Sequence, residues 1–233
     1  LVAIGATNPL YVVASVSNDY STITISKNGL DSDGLMMDFP YEYVANTGLP
    51  LSSVIIENGV CSVGANLISN CSSVTNVSLP SSVTKIGAYA FAECSGLNTI
   101  TIPDGVTSIG SGAFRNCTKL TNIYMNENSG ITYIESGVFN YCTNLESIYI
   151  PKNVTAISSL SFTRCEKITS ITIPAGVSSI GADAFGGCIS LSEIIFEGTM
   201  EQWESISLGY GGCFNLVPAT EVICSDGTLG FCI

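Results

Sequence analysis

Residues 80–102 read PSSVTKIGAYAFAECSGLNTITI, and residues 103–125 read PDGVTSIGSGAFRNCTKLTNIYM. The two stretches share a leading Pro, a V-T-x-I-G segment, an A-F pair, a Cys, and an ending of the form L-x-x-I-x. Self-similarity at a fixed spacing of 20 to 50 residues is the mark of a protein built from stacked structural repeats. These two stretches therefore predict a repeat fold.

The cysteines extend the repeat along the chain. They fall at 71, 94, 117, 142, 165 and 188, so that the differences are 23, 23, 25, 23 and 23. Aligning the chain on them gives six units, of which the fourth is two residues longer: 57–79, 80–102, 103–125, 126–150, 151–173 and 174–196. One structural coil is expected for each cysteine.

Each unit divides into two parts with different periodicity. The ending L-x-x-I-x-I alternates apolar and polar residues, which predicts a strand with one buried face, and the Pro that follows ends the ladder. The A-F-x-x-C part has apolar residues three apart and suits a short helical or 3₁₀ turn. Glycines would relieve the tight bend between the two parts; they stand at 64, 87, 110 and 181.

A coil of 23 residues cannot bury its own apolar side, so each coil must pack on the next. Aligned strands would then form a parallel sheet, roughly 25 to 30 Å long for six coils at a strand spacing of about 4.8 Å. The pattern predicts a solenoid.

The unit P-x-x-V-T-x-I-G-x-x-A-F-x-x-C-x-x-L resembles the BspA-like leucine-rich repeats of bacterial surface proteins. The segment FEGTMEQWESISLGYGGCFN at 196–215, followed by ATEVICSDGTLG at 219–230, is similar to the end of that family's repeat stack. The resemblance implies an α/β repeat solenoid, a right-handed superhelix. Its parallel β-sheet would line the concave face, with short helical turns opposite and caps at both ends.

Three regions are therefore predicted. Residues 57–196 form the six repeats, and residues 197–233 form a C-terminal cap in which Trp203 plugs the last coil. Residues 1–56 form either a small β-rich cap or the tail of a preceding module, because YSTITIS at 20–26 predicts a strand followed by turns at Lys27–Gly29 and Asp31–Gly34.

The charge balance restricts the partners. Seven basic residues against 19 acidic ones give a net charge of −12, and the basic residues are not clustered. Nucleic acids and anionic membranes need clustered Lys or Arg, so both are poor partners. The apolar opening at 1–16 is interrupted by Asn8 and Pro9 and is too short to span a bilayer. Membrane insertion is not expected.

Ten cysteines raise the question of metal or disulfide bonds. The regular ladder lacks the C-x-x-C clusters of zinc sites, so buried thiols that fill space as small apolar groups are the preferred interpretation. This structural ladder comprises Cys71, Cys94, Cys117, Cys142, Cys165 and Cys188. The other four, Cys61, Cys213, Cys224 and Cys232, lie off the ladder, and the cysteines of the C-terminal cap could pair.

Catalysis is not expected, because the chain contains no histidine and therefore no conventional Ser–His or Cys–His arrangement. Glu201 and Glu204 are better explained as solvated residues of the cap than as an acid–base pair. The segment Asp31–Gly34 is interpreted as a turn rather than a calcium loop. Glu42 fits the twelfth position of such a loop, but the intervening ligand positions are left empty by Met36, Met37, Phe39 and Pro40. No catalytic residue, metal or cofactor is assigned.

The outward positions of the strands are the candidate binding site. In L-x-x-I-x-I the third and fifth residues point away from the core, and they form two columns on the predicted concave sheet. Tyr124 and Tyr149 are expected to lie side by side, either as a protein-binding patch or as a cross-strand pair that only stabilises the sheet. The binding residues assigned are Tyr124, Tyr149, Thr101, Thr172, Asn122, Ser147 and Glu193.

The leading hypothesis is a monomeric, non-enzymatic protein, extracellular or at the cell surface, that recognises a host or bacterial protein through this sheet. This hypothesis is motivated by the resemblance of the repeats to those of bacterial adhesins. Two alternatives stay open: a structural spacer within a larger surface protein, and a glycan-binding module that stacks sugar rings on the tyrosines. A signal peptide preceding this chain is an inference.

Overall fold

The computed structural model describes residues 12–27 and 50–230. In these two ranges the chain is built from short strands and turns, with a single α-helix, α1, at Met200–Glu204. No helix in the described ranges is long and apolar enough to cross a membrane. The strands are β1 Val12–Val16, β2 Thr22–Lys27, β3 Ser53–Ile56, β4 Ser62–Val63, β5 Asn76–Ser78, β6 Lys85–Ile86, β7 Thr99–Thr101, β8 Ser108–Ile109, β9 Asn122–Tyr124, β10 Tyr133–Ile134, β11 Ala156–Ile157, β12 Ser170–Ile173, β13 Ser179–Ile180, β14 Glu193–Phe196, β15 Ser207–Leu208, β16 Glu221–Cys224 and β17 Gly227–Gly230.

The strands predicted from L-x-x-I-x-I, together with β2, β3 and β16 from outside the six units, form one side of the stack, named here the first sheet. They pair in parallel in three groups, β2–β3–β5, β7–β9 and β12–β14–β16. Within the six units successive partners are about one repeat apart, as in Ser170↔Glu193. At the two ends the partners are 31 and 28 residues apart, in Thr22↔Ser53 and Ile194↔Val222. At the two ends β1 and β17 run antiparallel to β2 and β16. The prediction of a parallel sheet with one strand in nearly every coil is confirmed.

The first sheet is interrupted twice. No ladder joins β5 to β7, and the fourth coil contributes only the isolated bridge Asn122↔Ser147. Within the described residues, no backbone hydrogen bond links residues 146–150 to residues 169–173. The sheet therefore opens between the first and second coils and again between the fourth and fifth.

Two-residue strands form a second parallel sheet across the coil. They come from the V-T-x-I part of each unit and join as β4–β6–β8 and β10–β11–β13–β15. The interruption falls between the third and fourth coils, where the fourth unit carries its two extra residues. The second sheet is continuous where the first sheet opens. Every pair of neighbouring coils is therefore joined by a ladder in one of the two sheets or by the bridge Asn122↔Ser147.

The predicted helical turns are wrong. The A-F-x-x-C part forms consecutive β-turns, in which alternate amides bond locally, such as Ala90 to Gly87, and the others donate to the next coil, such as Phe91 to Ala113. A helix cannot form because two residues in each coil adopt left-handed backbone angles, for example Tyr89 at φ 55° and Glu93 at φ 62°. These turns form a third hydrogen-bonded side, the turn side.

The core is a stack of phenylalanines. Phe91, Phe114, Phe139, Phe162, Phe185 and Phe214 lie one above another with ring centroids 5.1 to 5.8 Å apart. Each ring of the first five is completely buried. Five or more aligned aromatic side chains bury a large apolar area and bring in additional ring–ring attraction. This column holds the coils together across every interface from the second coil onward.

The glycines of the V-T-x-I-G segment have a different role from the one predicted. Gly87 and Gly110 do not adopt positive φ, so they do not relieve a bend. A Cβ at Gly87 would stand 2.5 Å from the backbone nitrogen of Ala65, and one at Gly110 would stand 2.5 Å from that of Ala88. Glycine is required because adjacent coils approach closely here.

The stack continues past both predicted domain boundaries. At the start, the strand expected at 20–26 is confirmed as β2, and it pairs in parallel with β3. At the end, β15 and β16 extend both sheets beyond residue 196, and buried Trp203 packs edge-on against Phe196 at 5.3 Å. The division at 56/57 and 196/197 stays a prediction. The predicted turn at Asp31–Gly34, its calcium alternative and Cys232 lie outside the described residues.

Candidate functional site

The outward side chains of the first sheet form two columns, named here the strand face. The pairing register fixes their order within each group of strands. The first column contains Thr22, Ser53, Asn76, Thr99, Asn122, Ser147, Ser170, Glu193 and Glu221. The second contains Thr24, Ile55, Ser78, Thr101, Tyr124, Tyr149, Thr172, Ile195 and Ile223.

Tyr124 is the most exposed aromatic residue of the strand face, with 57% of its surface accessible. It lies on β9 with Thr101 as its cross-strand neighbour on β7. Its position follows from the alternation in residues 122–124, where Asn122 and Tyr124 face outward and Ile123 is buried. An exposed tyrosine on a paired strand offers a partner apolar area and a hydroxyl at little cost in conformational entropy.

Tyr149 lies in a different environment. It is half-buried and follows the bridge Asn122↔Ser147 without belonging to a strand. Desolvation and the nearby carboxylate of Glu197 raise the pKa of its phenol. Beside it Lys152 Nζ lies 3.3 Å from Glu127 Oε1, and this hydrogen bond raises the pKa of the Lys152 ammonium. Charged groups therefore surround the second tyrosine.

No ring contact joins Tyr124 to Tyr149 within the described residues. The bridge Asn122↔Ser147 lies two residues before each tyrosine and sets their register, and Ser147 Oγ lies 3.3 Å from Asn122 Oδ1. The tyrosines thus occupy neighbouring positions in one column, while their contact stays a prediction.

The other assigned residues divide into two groups. Thr101, Asn122 and Ser147 lie with Tyr124 in the second to fourth coils, and Asn122 Nδ2 also donates to Thr121 Oγ1 at 3.1 Å. Thr172 and Glu193 lie on β12 and β14, beyond the opening of the first sheet. The assigned set therefore spans two separately paired parts of the strand face.

Residues beyond both predicted boundaries also belong to the strand face. Ile55 precedes the first predicted repeat, and Glu221 and Ile223 follow the last one. Ile55 is 37% exposed and Ile223 39% exposed, each with an outward side chain on a paired strand. The signal was present in SVII at 53–56 and EVIC at 221–224, which are short runs with β-branched residues like the repeat strands but lack the leucine and cysteine spacing of the repeat.

The cysteine column lies in the core, away from the strand face. Cys94, Cys117, Cys142, Cys165 and Cys188 are buried free thiols, each donating a hydrogen bond to a carbonyl of the preceding coil at 3.1 to 3.2 Å. Burial raises the pKa of Cys142 to about 12, so this thiol is un-ionised at neutral pH. In residues 12–27 and 50–230, no group of three or more acidic or cysteine side chains could hold a metal ion.

The neighbours of this fold are repeat proteins. A search of curated proteins found no match. A leucine-rich repeat protein from Bacteroides ovatus is similar over 93% of this chain and 70% of its own, with 18% identity and a TM-score of 0.58. The leucine-rich repeat protein of T. pallidum is similar over 89% of this chain and 86% of its own, with 19% identity and a TM-score of 0.51. At these identities the likeness concerns the fold alone.

The sequence itself carries the assignment of family. A profile of the BspA type leucine rich repeat region matches six copies, in residues 42–169 and 155–217. These matches together span more than half of the chain and include the coils that carry the phenylalanine and cysteine columns. The chain therefore belongs to the BspA type leucine-rich repeat family.

Proposed function

We propose that the protein is a non-enzymatic recognition module that binds another protein through its strand face, with Tyr124 at the centre of the contact. The observation that carries this proposal is the exposure of Tyr124 on β9, a strand held in a ladder with β7. Tyrosine is enriched where proteins contact one another.

The surroundings of Tyr124 support the same function. Its neighbours are hydroxyl and amide groups, which form hydrogen bonds at the rim of an interface without a large cost of desolvation. The backbone beneath is held by the ladder of β7 and β9, so the patch is preorganised. The family is one of repeat proteins, and stacked repeats offer extended surfaces for protein binding.

We further propose an extracellular or cell-surface location, based on the resemblance to the repeats of bacterial surface proteins. A monomer is the expected state, because the repeats build a continuous core within one chain. These two points are tested by fractionating the producing cells and by measuring the molar mass of the purified protein in solution.

The experiment is a binding screen of the whole chain against extracellular matrix proteins, mucins and a glycan array. Tyr124→Ala is compared with Tyr133→Ala, a matched control that removes a tyrosine of similar exposure, 55%, from the second sheet. Loss of binding by at least tenfold in Tyr124→Ala, with binding kept in Tyr133→Ala, is the expected result.

Three other outcomes decide against the proposal. Equal loss in both variants would mean that tyrosines contribute non-specifically. A hit confined to glycans would replace the protein partner with a sugar. Finally, if no ligand binds the wild type, a structural spacer becomes the better explanation.

A further inference from the structure

Acidic charge is concentrated at the C-terminal end of the solenoid. The last basic residue is Lys167, so residues 168–233 contain no Lys or Arg. The same stretch contains seven acidic residues: Asp183, Glu193, Glu197, Glu201, Glu204, Glu221 and Asp226. Its net charge is therefore −7, which leaves −12 + 7 = −5 for residues 1–167. More than half of the net charge lies in the last third of the molecule.

Two of these carboxylates lie next to each other on the strand face. The ladder of β14 and β16 pairs Ile194 with Val222 and Ile195 with Ile223. One residue earlier, Glu193 and Glu221 occupy corresponding positions, and both are exposed. Like charges facing each other across adjacent strands destabilise a sheet. Both ion pairs of the described residues, Lys152 with Glu127 and Arg164 with Glu166, lie elsewhere.

An apolar pair accompanies the two carboxylates. Ile195 and Ile223 point outward two residues further along the same strands, and Ile223 is 39% exposed. The antiparallel strand β17 places Thr228 beside Ile223. The end of the strand face therefore presents an acidic row and an aliphatic row, separated by two residues, or about 6.6 to 6.8 Å along a strand.

We propose that Glu193, Glu221, Ile195 and Ile223 form a docking surface for a cationic, extended segment of a partner protein. Side chains of an extended segment that face the same way are also two residues apart. A partner segment in which a basic residue is followed two positions later by an aliphatic one therefore matches both rows. The unpaired carboxylates and the net charge of −7 would also attract a cationic partner over a distance.

This inference rests on the proposed function, since it identifies the class of partner for the same strand face. It places the charge recognition at the C-terminal end, separate from Tyr124. The two ideas can therefore fail separately.

The experiment uses the whole chain and two fluorescein-labelled peptides of identical composition. In KSVSKSVS the lysines and valines share one face of an extended chain, whereas in KVSSKVSS they lie on opposite faces. Fluorescence anisotropy at low ionic strength measures binding to the wild type. We expect KSVSKSVS to bind more tightly by about fivefold or more, with binding that weakens as salt is added.

Matched variants separate local recognition from total charge. Glu193→Gln/Glu221→Gln and Glu201→Gln/Glu204→Gln change the net charge equally, but the second pair lies on α1. We expect KSVSKSVS to bind the first variant at least about fivefold more weakly and the second within about twofold of the wild type. Ile195→Thr/Ile223→Thr should remove the preference between the peptides, and circular dichroism checks that each variant is folded.

Three results would overturn the proposal: no binding of KSVSKSVS, equal binding of both peptides, or equal weakening by both glutamine variants. If KSVSKSVS does not bind while a protein partner from the screen still requires Tyr124, only the docking surface at Glu193 and Glu221 is disproved. If the peptide binds as expected and no protein partner depends on Tyr124, the function proposed for that tyrosine fails instead.

Discussion

The turn side and the strand face differ in how completely hydrogen bonds join neighbouring coils. On the turn side, inter-coil hydrogen bonds such as Phe91 to Ala113, Phe139 to Ser161 and Phe162 to Ala184 follow one another from coil to coil. On the strand face the ladder opens twice. The turn side therefore joins neighbouring coils also at the two places where the ladder of the strand face is open.

The fourth coil illustrates this division. Its two extra residues fall between β9 and β10, in a loop at 126–130. This loop forms hydrogen bonds to the fifth coil, with which the first sheet forms no ladder. The amide of Lys152 donates to the Glu127 carbonyl at 2.9 Å, and Asn153 Nδ2 donates to the Ser129 carbonyl at 2.8 Å. The phenylalanine column passes this coil unbroken, with Phe139 5.8 Å from Phe114 and 5.4 Å from Phe162.

The largest expected effect comes from the core of the turn side. Phe139→Ala should lower the free energy of unfolding by about 3 to 5 kcal/mol, because it leaves a cavity between two stacked rings. Tyr124→Ala should lower it by less than about 1 kcal/mol, since the side chain is mostly in water. Urea unfolding followed by circular dichroism measures both. Equal losses would remove the distinction between the two sides.

The close approach of neighbouring coils gives the second prediction. Gly110→Ala should lower the free energy of unfolding by about 1 to 3 kcal/mol, because the new Cβ would lie 2.5 Å from the Ala88 backbone nitrogen. Gly105→Ala is the control, since its nearest neighbours would be carbonyl oxygens at 3.4 and 3.5 Å. A lower melting temperature for Gly110→Ala alone is expected. If both variants melt together, close approach is not what selects glycine.

Alkaline pH should act through the buried thiols. Burial raises the pKa of Cys142 from 9.0 to about 12, so the folded protein keeps a proton that the unfolded chain loses. The stabilisation is complete below pH 9 and is lost as the pH rises from 9 to 12. Between these values the stability of the wild type should fall more steeply than that of Cys142→Ala, by about 1.4 kcal/mol per pH unit. Parallel slopes in urea titrations would contradict this.

The smallest expected effect concerns the opening between the fourth and fifth coils. Alternate amides of a parallel strand point to the same neighbour. Glu193 and Glu197 donate to the fifth coil, so Ile195 between them does also. The equivalent amide in the fifth coil, that of Thr172, points to the fourth coil, where no ladder forms. Hydrogen exchange at Thr172 should be about tenfold faster than at Ile195. Equal rates would mean that the sheet is closed there in solution.

The repeat arithmetic predicted most of the fold. The cysteine spacing and the L-x-x-I-x-I ending located the parallel strands, because a period of two and a fixed repeat length are local properties of the chain. The helical turns were predicted wrongly because apolar residues three apart also fit consecutive β-turns. Residues such as Tyr89 and Arg164 take left-handed angles that their side chains alone would not indicate. The neighbouring coil compensates for this strain through inter-coil hydrogen bonds.

The candidate site was predicted in part. Tyr124, Thr101 and Asn122 could be placed on the outward side by alternation alone. The environment of Tyr149 could not, because its half-burial and the charges around it depend on Lys152, Glu127 and Glu197, which come from different coils. Ile55, Glu221 and Ile223 were missed because the strands outside the repeat lack its spacing but pair with it all the same.

The sequence by itself determined the repeat, the parallel strands, the apolar columns and the excess of acidic charge, since each is a periodicity or a sum along the chain. Only the tertiary structure decided where the sheets open and which residues outside the repeats join the stack. It also decided that Glu193 and Glu221 lie side by side. The physical reason is that these features arise between coils, from hydrogen bonds and contacts joining residues that are distant in the sequence.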